Sequence, residues 1–496
     1  MHMVNVMVKK ILSICHESAI LFLFFIVSTS IHAFNMHNPV STFYVSSSKG
    51  NDKNSGASPQ SPRQSISSIN TKENVIILLK RGDVFFENIH GYKKTIISSY
   101  GSGDKPILCG FKILKNSDAW MQVSDSVWCL DLKNESNFEG YLSDRCKNKK
   151  TINNVGFIYS PKTDHLYGHL VPCLKDLQDE DFFTSDVYKP KQIQADTFKF
   201  LYWKTGKNPR DFPCLCFSMF EHGVSNMDSC QISNISIVGF SGHGICNSTN
   251  LIVDSCHIDL IGGAVFLKER WWSRYGNGVE FWADENTRNC YVRNCIVSRT
   301  YDCGMTIQYS GKENSYVHNI HFIGNKLYHC RQAFEYFINS SNSSSILKYE
   351  DCEFSKNICL EMGLNEFNSP EQRDASILCY DNEIRVLNIS YNFFYGSSYY
   401  CGQVRPVGMK NNTVYIYRGQ YLNNYHAKRN YPAIIAEDKE SIKKYKLWSG
   451  DNSRIHIITH APKKFAKERR ALQLEIKKTS LSINKFCNEQ IANYEY

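Results

Sequence analysis

The chain has 496 residues, with 57 Lys and Arg against 48 Asp and Glu and a formal net charge of +9. That length would hold about three ordinary domains, or one elongated body if the chain repeats. The basic balance suits an acidic polysaccharide or a solvated basic surface; with no RNA- or DNA-binding module recognisable, it does not point to nucleic acid.

Residues 1–33 predict a secretory signal peptide. Lys9 and Lys10 precede an apolar run from Ala19 to Val27, and small and polar residues follow to Ala33. The run is short for a bilayer span, and no later stretch is long and apolar enough for one. Cys15 lies before the run, which argues against a lipid anchor. Loss of Lys9, Lys10 and Glu17 lowers the charge by one. The expected product is a soluble monomer, secreted or periplasmic. Export favours disulfides, but many cysteines fall at interior repeat positions, where Cys behaves as a small hydrophobe. Most are expected to be free and buried. Cys214 and Cys216 alone are weak evidence for a metal.

Residues 34–114 read as the first coils of a solenoid. A strand-like Thr42-Phe-Tyr-Val45 leads into Gly50-Asn-Asp52 and a loop with Gly56, Pro59 and Pro62. Leu79–Phe85 and Ser99–Ile107 look like a first-coil strand and its following turn, with Gly82, Gly101 and Gly103 suited to the corners. These pieces resemble the opening of secreted right-handed parallel β-helix proteins of the pectate-lyase-like superfamily. The resemblance implies that fold and a glycan-degrading role.

From 115 to 213 the frame is lost, although alternation survives in Val127-Trp-Cys-Leu-Asp-Leu132. This segment is expected to be a β-rich insertion, with a separate small domain as the alternative. From 214 to 436 the main parallel β-helix is expected. Six sets recur there in one frame: Leu251/Val253/Cys256/Ile258, Cys290/Val292/Cys295/Val297, Ile320/Phe322/Asn325/Leu327, Cys352/Phe354/Asn357/Cys359, Leu387/Ile389/Asn392/Phe394 and Val407/Met409/Asn412/Val414. A fixed frame with variable connections is the mark of a solenoid. Apolar residues two apart give each strand one buried face, and an Asn at a constant corner can bond to its neighbour in the next coil. Val253, Val292, Phe322, Phe354, Ile389 and Met409 are expected to form one interior ladder. A right-handed turn follows from the crossover rule and from the resemblance.

A second strand per coil aligns Gly278-Val-Glu-Phe-Trp282, Gly304-Met-Thr-Ile-Gln308 and Ala333-Phe-Glu-Tyr-Phe337. Alternation puts Val279/Phe281, Met305/Ile307 and Phe334/Tyr336 inside, and Glu280/Trp282, Thr306/Gln308 and Glu335/Phe337 in one outward, exposed column. With coils about 4.8 Å apart, the Glu280 and Glu335 backbones are roughly 10 Å apart. Asp302, at the turn into the middle strand, can reach the same groove. Carboxylates at such spacing suit cleavage of a glycosidic bond, one giving a proton to the leaving oxygen and the other activating water or attacking the sugar. The catalytic candidates are therefore Glu280, Asp302 and Glu335; a solvated strand face is the plain alternative. Trp271, Trp272, Trp282, Arg270, Thr306, Gln308, Phe337 and His243 are candidates for substrate binding, although a Trp sealing the loop and a structural turn His are ordinary alternatives. These pieces also resemble a run of secreted bacterial glycan-degrading β-helix proteins, departing at Cys303, which is expected to leave the carboxylates undisturbed.

Residues 437–496 turn charged, and Phe465, Leu472, Ile476, Ile483 and Ile491 fall at helical spacing, predicting a helix that caps the solenoid end. The expected function is hydrolysis of a polysaccharide or oligosaccharide by a glycoside hydrolase. The alternatives are a polysaccharide lyase, with a base among Lys268, Arg270, Tyr301 and Arg331, and a noncatalytic glycan-binding surface protein. No cofactor is expected; calcium enters only with the lyase. The sequence shows no calcium loop, Gly-x-Ser-x-Gly elbow or phosphate-binding Gly loop.

Overall fold

A computed structural model describes residues 41–115, 117–132, 155–185, 200–212, 214–265, 274–283, 287–364, 366–367, 374–381, 385–403, 407–423 and 433–492. The signal-like segment lies outside them. The described chain winds as a parallel β-helix of three ten-stranded sheets. All pairings within them are parallel except the last, Tyr421–Asn423 with Ile434–Ile435.

The first sheet carries the interior ladder. Val253 pairs with Val292, Val292 with Phe322, Phe322 with Phe354, Phe354 with Ile389 and Ile389 with Met409. All six are buried. The ladder extends towards the N-terminus through Ile232, Ile97, Ile77 and Phe43, so one apolar column follows the axis from the first strand.

From Asn234 onward, each passage from the first sheet to the second turns on one left-handed residue. Asn294, Gly324, Lys356, Tyr391 and Asn411 have φ between 55° and 68°, a region that side chains other than Asn and Gly rarely adopt. The residue after each turn is the repeating Cys or Asn. Asn325, Asn357, Asn392 and Asn412 accept the backbone N–H of Cys295, Asn325, Asn357 and Asn392 at 2.8–3.0 Å. Their amides donate to the carbonyls of Val292, Phe322, Phe354 and Ile389. Backbone groups that the corner would leave buried and unpaired are satisfied coil by coil. The thiols of Cys290 and Cys352 donate to the carbonyls of Arg288 and Glu350, both at 3.3 Å.

The insertion forms two four-stranded antiparallel sheets. One includes Phe111–Ile113 and Cys216–Ser218, so the insertion begins a few residues before 115 and ends a few after 213. Trp120, Trp203, Leu130 and Phe217 form its own core. Across it the solenoid is continuous: Ile107–Cys109 pairs directly with Ser236–Val238.

The C-terminal segment divides the task assigned to it. The helix Lys439–Ser449, capped by Asp438 and ended by Gly450 at φ 69°, closes the solenoid end, its Tyr445 packing on Tyr400 with ring centroids 5.8 Å apart. The longer helix Lys463–Ala492 does not cap the end. It lies along the outer face of the second sheet, from Phe465 stacked on Tyr395 at 4.0 Å to Phe486 against Phe86 at 4.9 Å. That face presents Tyr328, Leu360 and Tyr395 in register, an apolar strip that the helix covers with Phe465, Leu472 and Ile476.

Candidate active site

Three strands of the third sheet build the site: Val279–Trp282, Cys303–Gly311 and Gln332–Ser340. Glu280 pairs with Thr306 and Thr306 with Glu335; Trp282, Gln308 and Phe337 align likewise. The column points away from the interior, but its first row is not exposed to solvent. Glu280 is 8% exposed, Thr306 0% and Glu335 5%. At Glu280 a second layer is formed in part by the connection that brings Arg274 and Tyr275 against His243 and the insertion. Burial changes the chemistry of these acids, because water no longer stabilises their charge.

At the start of these strands a hydrogen-bond ladder runs from coil to coil. His222 Nδ1 accepts the N–H of His243 at 3.0 Å, His243 Nδ1 accepts the N–H of Asn277 at 3.1 Å, and Asn277 Oδ1 accepts the N–H of Cys303 at 3.1 Å. These bonds fix the orientation of the side chains. Burial, and then the neighbouring His222, hold the His243 imidazole well below its ordinary 6.5; the ring is neutral. Because its Nδ1 accepts, its single proton sits on Nε2, which faces Glu280 Oε2 at 3.4 Å. Asn277 Nδ2 donates to the same oxygen at 2.7 Å.

Glu280 is thereby held by one neutral donor, Asn277, with the neutral His243 ring beside it. Its carboxyl is pushed from 4.5 to about 7, mainly by burial, with the Asp302 charge adding to the rise and the Asn277 amide opposing it. With Oε2 accepting from Asn277, Oε1 is the oxygen left to carry the proton.

Glu335 is placed differently. Its Oε2 accepts from Gln308 Nε2 at 2.7 Å and from the Cys303 thiol at 3.0 Å. Burial, then the charges of Glu335 and Asp302, push that thiol far up, so it keeps its proton. Cys303 is therefore not a bystander. Arg331 Nη1 stands 4.0 Å from Asp302 and Arg331 Nε 3.5 Å from Asp374. Asp302, Cys303 and Glu335 bring potential ligand atoms within 4.8 Å of one another. Calcium takes six or more oxygens and no thiol, and here the thiol proton already bonds Glu335.

A groove of about 390 Å³ opens beside Glu280, lined by His222, His243, Arg274, Tyr275, Asn277, Trp282, Asp302 and Gln308 among others. Glu280 and Asp302 share it, whereas Glu335 sits behind Gln308. Trp282 is 37% exposed and forms an apolar wall. Phe337 lies farther along, edge-on to Tyr380 at 5.9 Å. Tyr301 is buried beneath the Arg274 guanidinium, 5.6 Å from its ring centroid, and Arg331 is 2% exposed. Lys268, Arg270, Trp271 and Trp272 lie outside the described residues. Sequence reasoning missed His222, Asn277 and Arg274. A signal for the first two exists: His222-Gly, His243-Gly, Asn277-Gly and Cys303-Gly each precede an apolar residue, a repeat of its own.

No family model and no curated protein matches the chain. Among solved structures it is similar to the GH136 lacto-N-biosidase from Eubacterium ramulus, at 15% identity over 76% of this chain and 57% of that one, with a TM-score of 0.41. A complex of XylC with xylose aligns at 9% identity over 84% and 82%, with a TM-score of 0.45. Pectate lyase Pel9A aligns at 11% identity over 86% and 80%, with a TM-score of 0.36. The chain thus spans little more than half the length of the biosidase. Among the described residues no helix is long and apolar enough to cross a membrane.

Proposed function

We propose that this protein is a carbohydrate-active β-helix enzyme that hydrolyses glycosidic bonds of a polysaccharide or oligosaccharide. Glu280 is the proton donor to the leaving oxygen, and Asp302 is the second carboxylate, activating water or attacking the sugar. The observation that carries this reading is a buried carboxyl held at about 7 on a groove that a second carboxylate also lines. A general acid works best when its pKa lies near the working pH. His243 and Asn277 orient Glu280, Glu335 keeps Gln308 in place, and Trp282 offers an apolar face to sugar C–H bonds.

A polysaccharide lyase is the second reading. It is favoured by Arg274, a cation on the same groove beside Tyr275, which would neutralise a uronate carboxylate while the Tyr275 phenolate, its own proton passed to solvent, takes up the adjacent proton. Digestion of a glycan panel with mass-spectrometric product readout separates them. A new reducing end supports hydrolysis, and an unsaturated uronate supports the lyase. Binding without cleavage of any member of the panel rejects both.

A further inference from the structure

Away from the groove, three cysteines from distant parts of the sequence meet. Cys214 and Cys216, two residues apart, enter the insertion strand Cys216–Ser218, where a period of two turns both to one side. Cys487 comes from the last turns of the long helix. Its sulfur lies 3.7 Å from that of Cys216, which is 3.9 Å from Cys214; all three thiols lie within 4.8 Å of one another. None is more than 1% exposed. Cys109 belongs to the same buried cluster, with Phe111, Ile113 and Ile483.

Two ordinary explanations account for this grouping only in part. A disulfide needs its sulfurs about 2.05 Å apart and would use two of the three thiols. Packing as small hydrophobes accounts for burial but not for three sulfurs converging from two segments. Four thiolates about 2.3 Å from a tetrahedral zinc ion stand about 3.8 Å from each other, the separation seen along both measured edges. We propose that Cys214, Cys216 and Cys487 are ligands of a structural zinc site that joins the insertion to the C-terminal helix, with Cys109, of the same buried cluster but outside that 4.8 Å group, closing in as the fourth thiol when the ion binds. On binding, each ligating S–H bond is replaced by a Zn–S bond and its proton passes to solvent; nothing is oxidised or reduced. The site is enclosed by Ile483 and the helix itself, so the ion enters before the helix docks. This inference is independent of the groove chemistry.

The test uses the full chain, produced with zinc under reducing conditions and desalted. Elemental analysis is expected to find about one zinc per chain, released when a mercurial blocks the thiols. Cobalt(II) in its place should give thiolate charge-transfer absorption. Cys487→Ser should lower retained zinc about tenfold or more, whereas Cys173→Ser, outside the cluster, should leave it unchanged. Should Cys487→Ser fail to fold, the cobalt spectrum of the unmodified chain decides, and absence of charge-transfer bands overturns the site. Less than about a tenth of an equivalent of zinc in the unmodified chain also overturns it. So does a Cys216–Cys487 linked peptide in an unreduced digest of that preparation.

Discussion

His243 Nε2 faces Glu280 Oε2 at 3.4 Å, and the contact is one between a neutral imidazole and an acid, not an ion pair. A charged histidine there would draw the carboxyl down towards the ionised state. Because burial and His222 keep the His243 ring neutral, it stands beside the acid without that effect. Glu280 keeps its proton nearly to neutrality.

Glu280→Gln retains the shape and loses the transferable proton, so turnover on a cleaved glycan should fall about 100-fold or more while binding persists. Single-turnover kinetics beside a binding titration checks this. Parent activity should decline as pH rises through about 7, where Glu280 ionises.

The same carboxyl affects stability. Its folded pKa of about 7 exceeds the unfolded 4.5, so the native state holds the proton more tightly. The stability this supplies is complete below pH 4.5 and is lost as pH rises through 7, about 3 kcal/mol in all. Gln cannot ionise. Relative to the parent, the melting temperature of Glu280→Gln should therefore be higher at pH 8 than at pH 5, by calorimetry at both.

Asn277→Ala removes the hydrogen bond that holds the Glu280 pKa down. The descending limb of the kcat/KM profile should move to higher pH. An unmoved limb would mean that Asn277 only holds the backbone of Cys303.

Trp282→Ala strips the exposed wall of the groove. KM should rise several-fold with little change in kcat, since uniform binding is lost rather than transition-state stabilisation. Steady-state kinetics on the best glycan of the panel gives both values.

Phe322 is fully buried, its ring 5.7 Å from Phe281 and 5.5 Å from Phe334. Phe322→Ala should cost about 3–5 kcal/mol in urea unfolding if the cavity cannot collapse.

The interior was legible because its causes are local. Period-two alternation and one left-handed residue per corner repeat within a few positions, and the same alternation gives the register of Glu280, Thr306 and Glu335. Burial of that register was not legible. The layer over Glu280 comes partly from a connection whose Arg274 bonds the carbonyl of Leu170 in the insertion, a neighbour that no strand pattern announces. Cys303 reads as a small core residue by itself; only the pairing of coils brings it to Glu335. The amphipathic spacing of the long helix was visible too, but the surface it covers is set by outward aromatic positions, Tyr328 and Tyr395, in distant coils.

Coils of a solenoid touch only their neighbours, so such a molecule tends to fray from its ends and to store stability additively. The strut Lys463–Ala492 alters that mechanics. With Phe465 on Tyr395 and Phe486 on Phe86, it reaches from the last coils back to the first, and neither end can loosen without lifting a helix that the other also holds. A stack of semi-independent turns thereby becomes a closed frame.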